Sequence, residues 1–190
     1  MTTRDDGSQE GTAEANTAAL SAIARADVLV FGPGSFYTSV LPHVLVPGIC
    51  HAIVKRKGIP KIFVGNMLEC PETAGATLNQ MLVAFCTHGR RVIAAADVPA
   101  AAFVTHVIAN RSATPFQRSV GGRRYLRFDD EDPFLRDAGI HTICRDFEDP
   151  WERGTYDAAC LASVIGALAC AQYQRGCLIR APTASCVKNV

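Results

Sequence analysis

Apolar residues along this chain fall into two patterns, short unbroken runs and stripes that recur every three to four positions. Val28, Leu29, Val30 and Phe31 form an unbroken run, which predicts a strand buried on both faces. Ile62 to Val64, His106 to Ala109 and Ile140 to Ile143 predict further strands, and Arg91 to Ile93 a short one. Between them lie helical stripes. Asn16 is placed to cap a helix through Leu20 and Ile23 to Arg25. Ile49, Ala52 and Ile53 predict a helix ending near Gly58. Leu78, Met81, Leu82 and Phe85 sit at i, i+3, i+4 and i+7, with Gly89 where a C-cap belongs. Leu161, Val164, Ile165 and Leu168 repeat that spacing, and the pattern decays after Cys170. The chain therefore divides into a polar leader (1–15), one α/β ligand-binding domain (16–170) and a C-terminal tail (171–190) expected to fray.

Strands that alternate with helices predict an α/β fold with a mostly parallel sheet. In such a sheet ligands sit outside the carboxyl ends of the strands. The loops leaving the strands are 32–39, 65–73, 110–115 and 145–149, so all four are expected to open on one edge. They hold most of the hydroxyl, amide and carboxylate side chains outside the two ends.

Composition narrows the classes of function. With 190 residues, 48% hydrophobic and 19% charged, the chain reads as globular and long enough for a core. A net charge of +1 gives no electrostatic reason to expect nucleic acid or a membrane as partner. No apolar run approaches the roughly 18 residues of a span, and the amino terminus lacks a signal-peptide pattern, so a cytoplasmic protein is expected. Eight cysteines are scattered without a Cys-x-x-Cys pair, and no His-x-x-x-His pair occurs, so no metal site is assigned.

Three segments could carry chemistry. Gly32, Gly34, Ser35, Tyr37, Thr38 and Ser39 form a strand-exit loop in which glycines let a ligand approach the amides and hydroxyls add donors. It is neither a Walker loop nor Gly-x-Gly-x-x-Gly, and a turn made for packing is an equal reading. Asn66, Glu69, Glu72 and Thr73 leave the next strand. Glu72 could hold a metal, a ribose or an acceptor hydroxyl, or with Thr73 could cap the following helix. Arg118, Arg123, Arg124 and Arg127 surround Tyr125, a set suited to phosphate and to base stacking, or to a solvated loop balanced by Asp129 to Asp132. Ser35 or Ser39 with His43 lacks the Gly-x-Ser-x-Gly elbow, which speaks against a serine hydrolase.

The run from Ala26 to Pro42, Ala-Asp-Val-Leu-Val-Phe-Gly-Pro-Gly-Ser-Phe-Tyr-Thr-Ser-Val-Leu-Pro, closely resembles the signature of bacterial gluconeogenesis factors, relatives of the 2-phospho-L-lactate transferases. Leu45 to Ile49, Lys61 to Asn66, Glu72-Thr73, Gly75 and Thr77 continue it, and Val107 to Asn110, Tyr125, Asp157, Leu161 and Ala162 extend it more thinly. The resemblance implies a Rossmann-like three-layer sandwich whose cleft takes a nucleotide or nucleotide-sugar. Transferase members move a phospholactyl group from a guanosine-diphosphate-linked donor with a divalent metal, so magnesium (Mg) is the implied cofactor. The gluconeogenesis-factor branch binds UDP-sugars in a regulatory role. Carried over, Gly32, Gly34, Ser35, Tyr37, Thr38, Ser39, Asn66, Thr73 and Tyr125 would bind ligand, and Glu72 would be catalytic. The family's opening phosphate loop precedes the matched segment, so the chain is expected to be the carboxyl-terminal part, with the amino-terminal part of the family fold missing. Three positions depart from the family pattern: His43 replaces an asparagine, the run before Glu72 lacks Thr-Gln-Pro-Gly, and Thr155 replaces a basic residue. The expectations are a transferase-like protein, or a non-catalytic UDP-sugar-binding regulator, with a homo-oligomer as a further option for completing the sheet.

Overall fold

The computed structural model describes residues 13–111 and 119–180, with side chains through residue 171. Most of the polar leader, the segment with Arg118, the outer part of the 110–115 loop and the last ten residues lie outside the described residues.

The sheet has four parallel strands. β1 (Leu29–Phe31), β2 (Lys61–Val64), β3 (His106–Asn110) and β6 (His141–Arg145) lie in the order β1-β2-β3-β6. Registers run Leu29 to Lys61, Ile62 to His106 and His106 to His141. A separate hairpin, β4 (Ser119–Val120) and β5 (Arg123–Arg124), is antiparallel. The helices are α1 (Thr17–Arg25), α2 (Pro42–Leu45), α3 (Pro47–Lys55), α4 (Leu78–Val92), α5 (Pro133–Asp137) and α6 (Ala158–Arg180). The expected mostly parallel α/β sandwich is therefore the observed fold.

Successive strand residues face opposite sides, and this divides the core in two. Phe31, Phe63 and Val107 join Val44, Ile53, Leu82 and Phe85 on the face covered by α2, α3 and α4. Ile62, Val64 and Ile108 face α6, packing against Leu161, Val164, Ile165 and Leu168. β2 is buried at all four positions. β1 is not buried on both faces as its apolar run predicts, since Val30 is 43% exposed. β1 is one of the two outer strands of the described sheet, and the α6 cluster reaches Val28 but not Val30. The helix also runs through Arg180, past Cys170, where the apolar spacing fades. No single described helix is long and apolar enough to cross a membrane.

Local chemistry fixes the ends of the elements. Asn16 caps α1 as predicted, its side chain accepting the Ala18 and Ala19 amides. Thr77 opens α4 through a reciprocal capping box with Gln80, so Glu72 and Thr73 have no capping role there. The carboxyl end of α4 differs from prediction. Gly89 lies inside the helix and is buried, and Arg91 and Val92 form its last turn rather than a strand. The terminator is Ala94, in the left-handed region at φ 51°. Ala94 N donates to Arg91 O (3.2 Å) and Ala95 N to Arg90 O (3.0 Å), the two bonds of a Schellman motif. Gly89 is instead required by packing, because a Cβ there would lie 2.5 Å from the Phe103 ring.

The two sites should therefore respond oppositely to exchange. Gly89→Ala gains helix propensity but overpacks against Phe103, and a net loss of about 1–3 kcal/mol is expected in urea unfolding. Ala94→Gly relieves the left-handed penalty and should raise stability by up to about 1 kcal/mol. A stabilised Gly89→Ala protein would mean that Phe103 gives way freely.

Candidate functional site

Because every pair in the main sheet is parallel, all described strand exits open on one edge. β1 and β2 are neighbours, so the loops that follow them lie side by side. One side chain joins these loops. Asn66 Oδ1 accepts the Gly34 N–H (3.0 Å), and Asn66 Nδ2 donates to the Gly34 carbonyl (2.9 Å). The amide predicted to bind ligand thus spends both of its functional ends on holding the glycine peptide in place. A Cβ on Gly34 would come within 3.3 Å of Ser39 Cβ, so the turn is close-packed there.

Beyond Ser35 the chain enters a π-helical turn (Phe36–Val40), not a regular α-helix. The Ser35 carbonyl accepts the amides of Ser39 (2.8 Å) and Val40 (3.2 Å), and Phe36 O accepts Leu41 N (2.7 Å). Phe36, Val40 and Leu41 are buried, while Tyr37, Thr38 and Ser39 are exposed. His43 Nδ1 bonds Val40 O (2.9 Å), which is how that ring is used.

A cleft of about 390 Å³ lies between the two loops. Gly34, Ser35 and Asn66 line it, and Arg123, Thr155 and Tyr156 complete it from later in the chain. Gly32, Tyr37, Thr38, Ser39, Glu72, Thr73 and Tyr125 are not among its lining residues. Glu72 is exposed in a 3-10 turn (Pro71–Thr73). Thr73 is buried, its hydroxyl 2.9 Å from Cys70 Sγ.

The 65–73 loop is braced from behind by the segment after β4. Leu126 N donates to Met67 O (3.0 Å), and Glu69 N to Arg124 O (2.8 Å). Arg123 Nε donates to Glu69 O (3.0 Å), and Arg123 is among the residues that line the cleft. Arg124 pairs with the Glu69 carboxylate (3.5 Å), whose side chain is 9% exposed. Arg127 Nη2 donates to Gly75 O (2.7 Å). The basic stretch is thus divided, with Arg123 in the cleft and Arg124 and Arg127 tying loops together.

Tyr125 belongs to a partly buried cluster with two residues that the sequence reading did not single out. Its hydroxyl donates to Glu148 Oε1 (2.5 Å) and accepts from Arg153 Nη2 (2.7 Å). Glu148, with a side chain 4% exposed, also meets Arg153 at 2.9 Å and accepts Gly154 N (2.7 Å). Burial, then the bond to Glu148, raises the Tyr125 pKa above its ordinary value. Tyr156 OH donates to Gly65 O (2.7 Å), fixing the far wall of the cleft to the end of β2, and burial raises its pKa strongly. At the end of β3, Asn110 Oδ1 accepts Phe147 N (2.7 Å), while its buried Nδ2 has no partner among the described residues.

The residues present do not fit a protein-built Mg cage. Among the described residues no three His, Cys, Asp or Glu side chains converge. Glu69 and Glu148 are already paired to arginines, and only exposed Glu72 stands apart on its loop.

The Asn66 clamp makes a pH-dependent prediction. Asn66→Asp replaces the donor to the Gly34 carbonyl by an acceptor, and should cost about 1–3 kcal/mol at neutral pH. A protonated carboxyl can donate again, so the deficit should shrink as pH falls toward about 4. Urea unfolding across that range measures it, and a deficit independent of pH would mean that the clamp is not the cause.

The family model described as 2-phospho-L-lactate transferase CofD matches residues 3–147. A gluconeogenesis factor of Halalkalibacterium halodurans is 51% identical over 70 residues, covering 36% of this chain and 21% of that protein. A putative gluconeogenesis factor of Thermoanaerobacterium thermosulfurigenes is 35% identical over 100 residues, covering 52% and 27%. A crystal structure of a UPF0052-family protein from Bacillus halodurans aligns with a TM-score of 0.63 at 26% identity, covering 80% of this chain and 46% of that one. The aligned part of this chain thus spans less than half of those relatives. With three quarters of its length matched by the family model and the sheet shared with that crystal structure, the chain belongs to the CofD 2-phospho-L-lactate transferase family.

Proposed function

We propose that the carboxyl edge of the sheet binds a phosphorylated, nucleotide-linked ligand, in a protein that transfers a phosphorus-linked group as 2-phospho-L-lactate transferases do. The observation that carries this reading is one cleft lined by Ser35, by Arg123 and by Gly34, whose backbone Asn66 holds in place. With the Gly34 backbone already engaged by Asn66, the Ser35 hydroxyl and an arginine fork are left as donors suited to a diphosphate. Tyr37, 53% exposed beside the loop, offers a face for a base or sugar. In transfer, Arg123 would neutralise charge on the transferred group and Glu72 would orient the acceptor hydroxyl for in-line attack at phosphorus, catalysis by positioning and charge.

A second reading is a non-catalytic sensor of a UDP-sugar. Two observations favour it. Glu72 lies outside the lining of the cleft, and Thr155 lines it where the family pattern has a basic residue.

Thermal-shift titration with GDP, UDP and UDP-N-acetylglucosamine, with and without Mg, tests both readings. A ligand at a hundred times its dissociation constant should add about 2.7 kcal/mol. Arg123→Ala should weaken binding by roughly ten- to a hundredfold, the loss of about 1.5–3 kcal/mol for a charged hydrogen bond. A response to GDP supports the transferase reading, and one to the UDP-sugar alone supports the sensor. Nucleotide binding that is indifferent to Arg123→Ala and Ser35→Ala would move the site elsewhere.

A further inference from the structure

At the opposite, amino edge of the sheet a lysine stands where the alternation calls for an apolar side chain. Lys61, the first residue of β2, lies two positions before Phe63 and so on the same face, and it is 3% exposed. Its ammonium donates to one acceptor, Ala102 O (2.5 Å). No carboxylate lies within ion-pair distance of it among the described residues. The nearest charges are of its own sign. Arg56 and Lys57 line the same cavity, with Arg56 held by two bonds to Ala26 O (2.9 and 2.6 Å). Burial first, then Arg56 and Lys57, lower the Lys61 pKa to about 8. A buried ammonium among cations, without an anion, is costly, and such groups are ordinarily paired.

The cavity supplies room for the missing charge. It measures about 410 Å³, more than a bare phosphate fills, and Val54, Ile59, Val98 and Pro99 wall it. The Thr105 hydroxyl at its base is already engaged with the Lys61 backbone (2.8 and 3.2 Å), which leaves the cations as the donors for a guest. We infer that this amino-edge cavity is a second binding site, separate from the carboxyl-edge cleft, for a small carboxylate with a short apolar body, its charge on Lys61 and Lys57 and its body against the Val54–Val98 wall.

The test uses the chain labelled with 13C-lysine. It has four lysines, Lys55, Lys57, Lys61 and Lys188, so the Lys61 Cε signal is assigned by its loss in Lys61→Met. Titration with butyrate should shift that signal saturably and raise its midpoint from about 8 by about one unit, a tenfold preference for the charged form. Inorganic phosphate should act much more weakly. Lys61→Met should abolish butyrate binding, followed by calorimetry. Lys57→Ala, on an exposed side chain, should weaken binding severalfold while Lys61 remains visible. Saturating GDP or UDP should not displace butyrate. An unmoved Lys61 midpoint, an equal response to phosphate, or butyrate binding that survives Lys61→Met would each overturn the assignment.

Discussion

The two hydrogen bonds between the Asn66 side chain and the Gly34 peptide are the constraint on which the carboxyl edge rests. The strands that carry these residues are held to each other only by a three-residue register, Leu29 to Phe31 against Lys61 to Phe63. Beyond that short ladder the clamp ties the two loops by hydrogen bonds at the point where the cleft opens. A primary amide carries a donor and an acceptor side by side and so meets both the N–H and the C=O of one residue, which few other side chains can do. The rest of the edge is built outward from it, with Tyr156 fixed to the end of β2 and Glu148, paired with Tyr125 and Arg153, holding the Gly154 amide at the cleft's far wall.

The two faces of the sheet have unequal cover, and this shapes where polar chemistry can sit. One face is closed by α2, α3 and α4 around Phe31, Phe63 and Phe85, whose rings meet at 4.9 to 6.4 Å. The other depends on α6 alone among the described helices. Both edges of the sheet remain polar, because strand ends release backbone groups and loops supply side chains to meet them. The buried lysine at one edge and the clamped glycine at the other are two outcomes of that same geometry.

Much of the fold was legible from spacing. Val28 to Phe31, Ile62 to Val64, His106 to Ala109 and Ile140 to Ile143 all proved to be strands, and the i, i+3, i+4, i+7 stripes proved to be helices. The helix end at Gly89 was misread because glycine signals a cap by conformation, whereas here it answers to the Phe103 ring, a contact between distant parts of the chain. Val30 was misread because an apolar run does not reveal whether its strand is central or outermost. In the site, the glycines and hydroxyls of one loop and the basic stretch with Arg123 were visible, but Glu148, Arg153 and Tyr156 join them only through tertiary pairing. No local motif marks Glu148, since an acidic loop from Asp146 to Asp149 looks like solvent-facing charge until the fold buries one member.

The π-helical turn at Phe36–Val40 carries one residue more than an α-helical turn would. That single insertion sets the phase between the loop and everything after it. It lets Phe36, Val40 and Leu41 all reach the core while Tyr37, Thr38 and Ser39 stay together outside. Removing one residue here would rotate the preceding side chains by about 100° relative to α2, carrying the hydroxyl-bearing face around the helix axis. One residue more or fewer between Ser35 and Leu41 would turn Tyr37, Thr38 and Ser39 relative to the core contacts of Phe36, Val40 and Leu41.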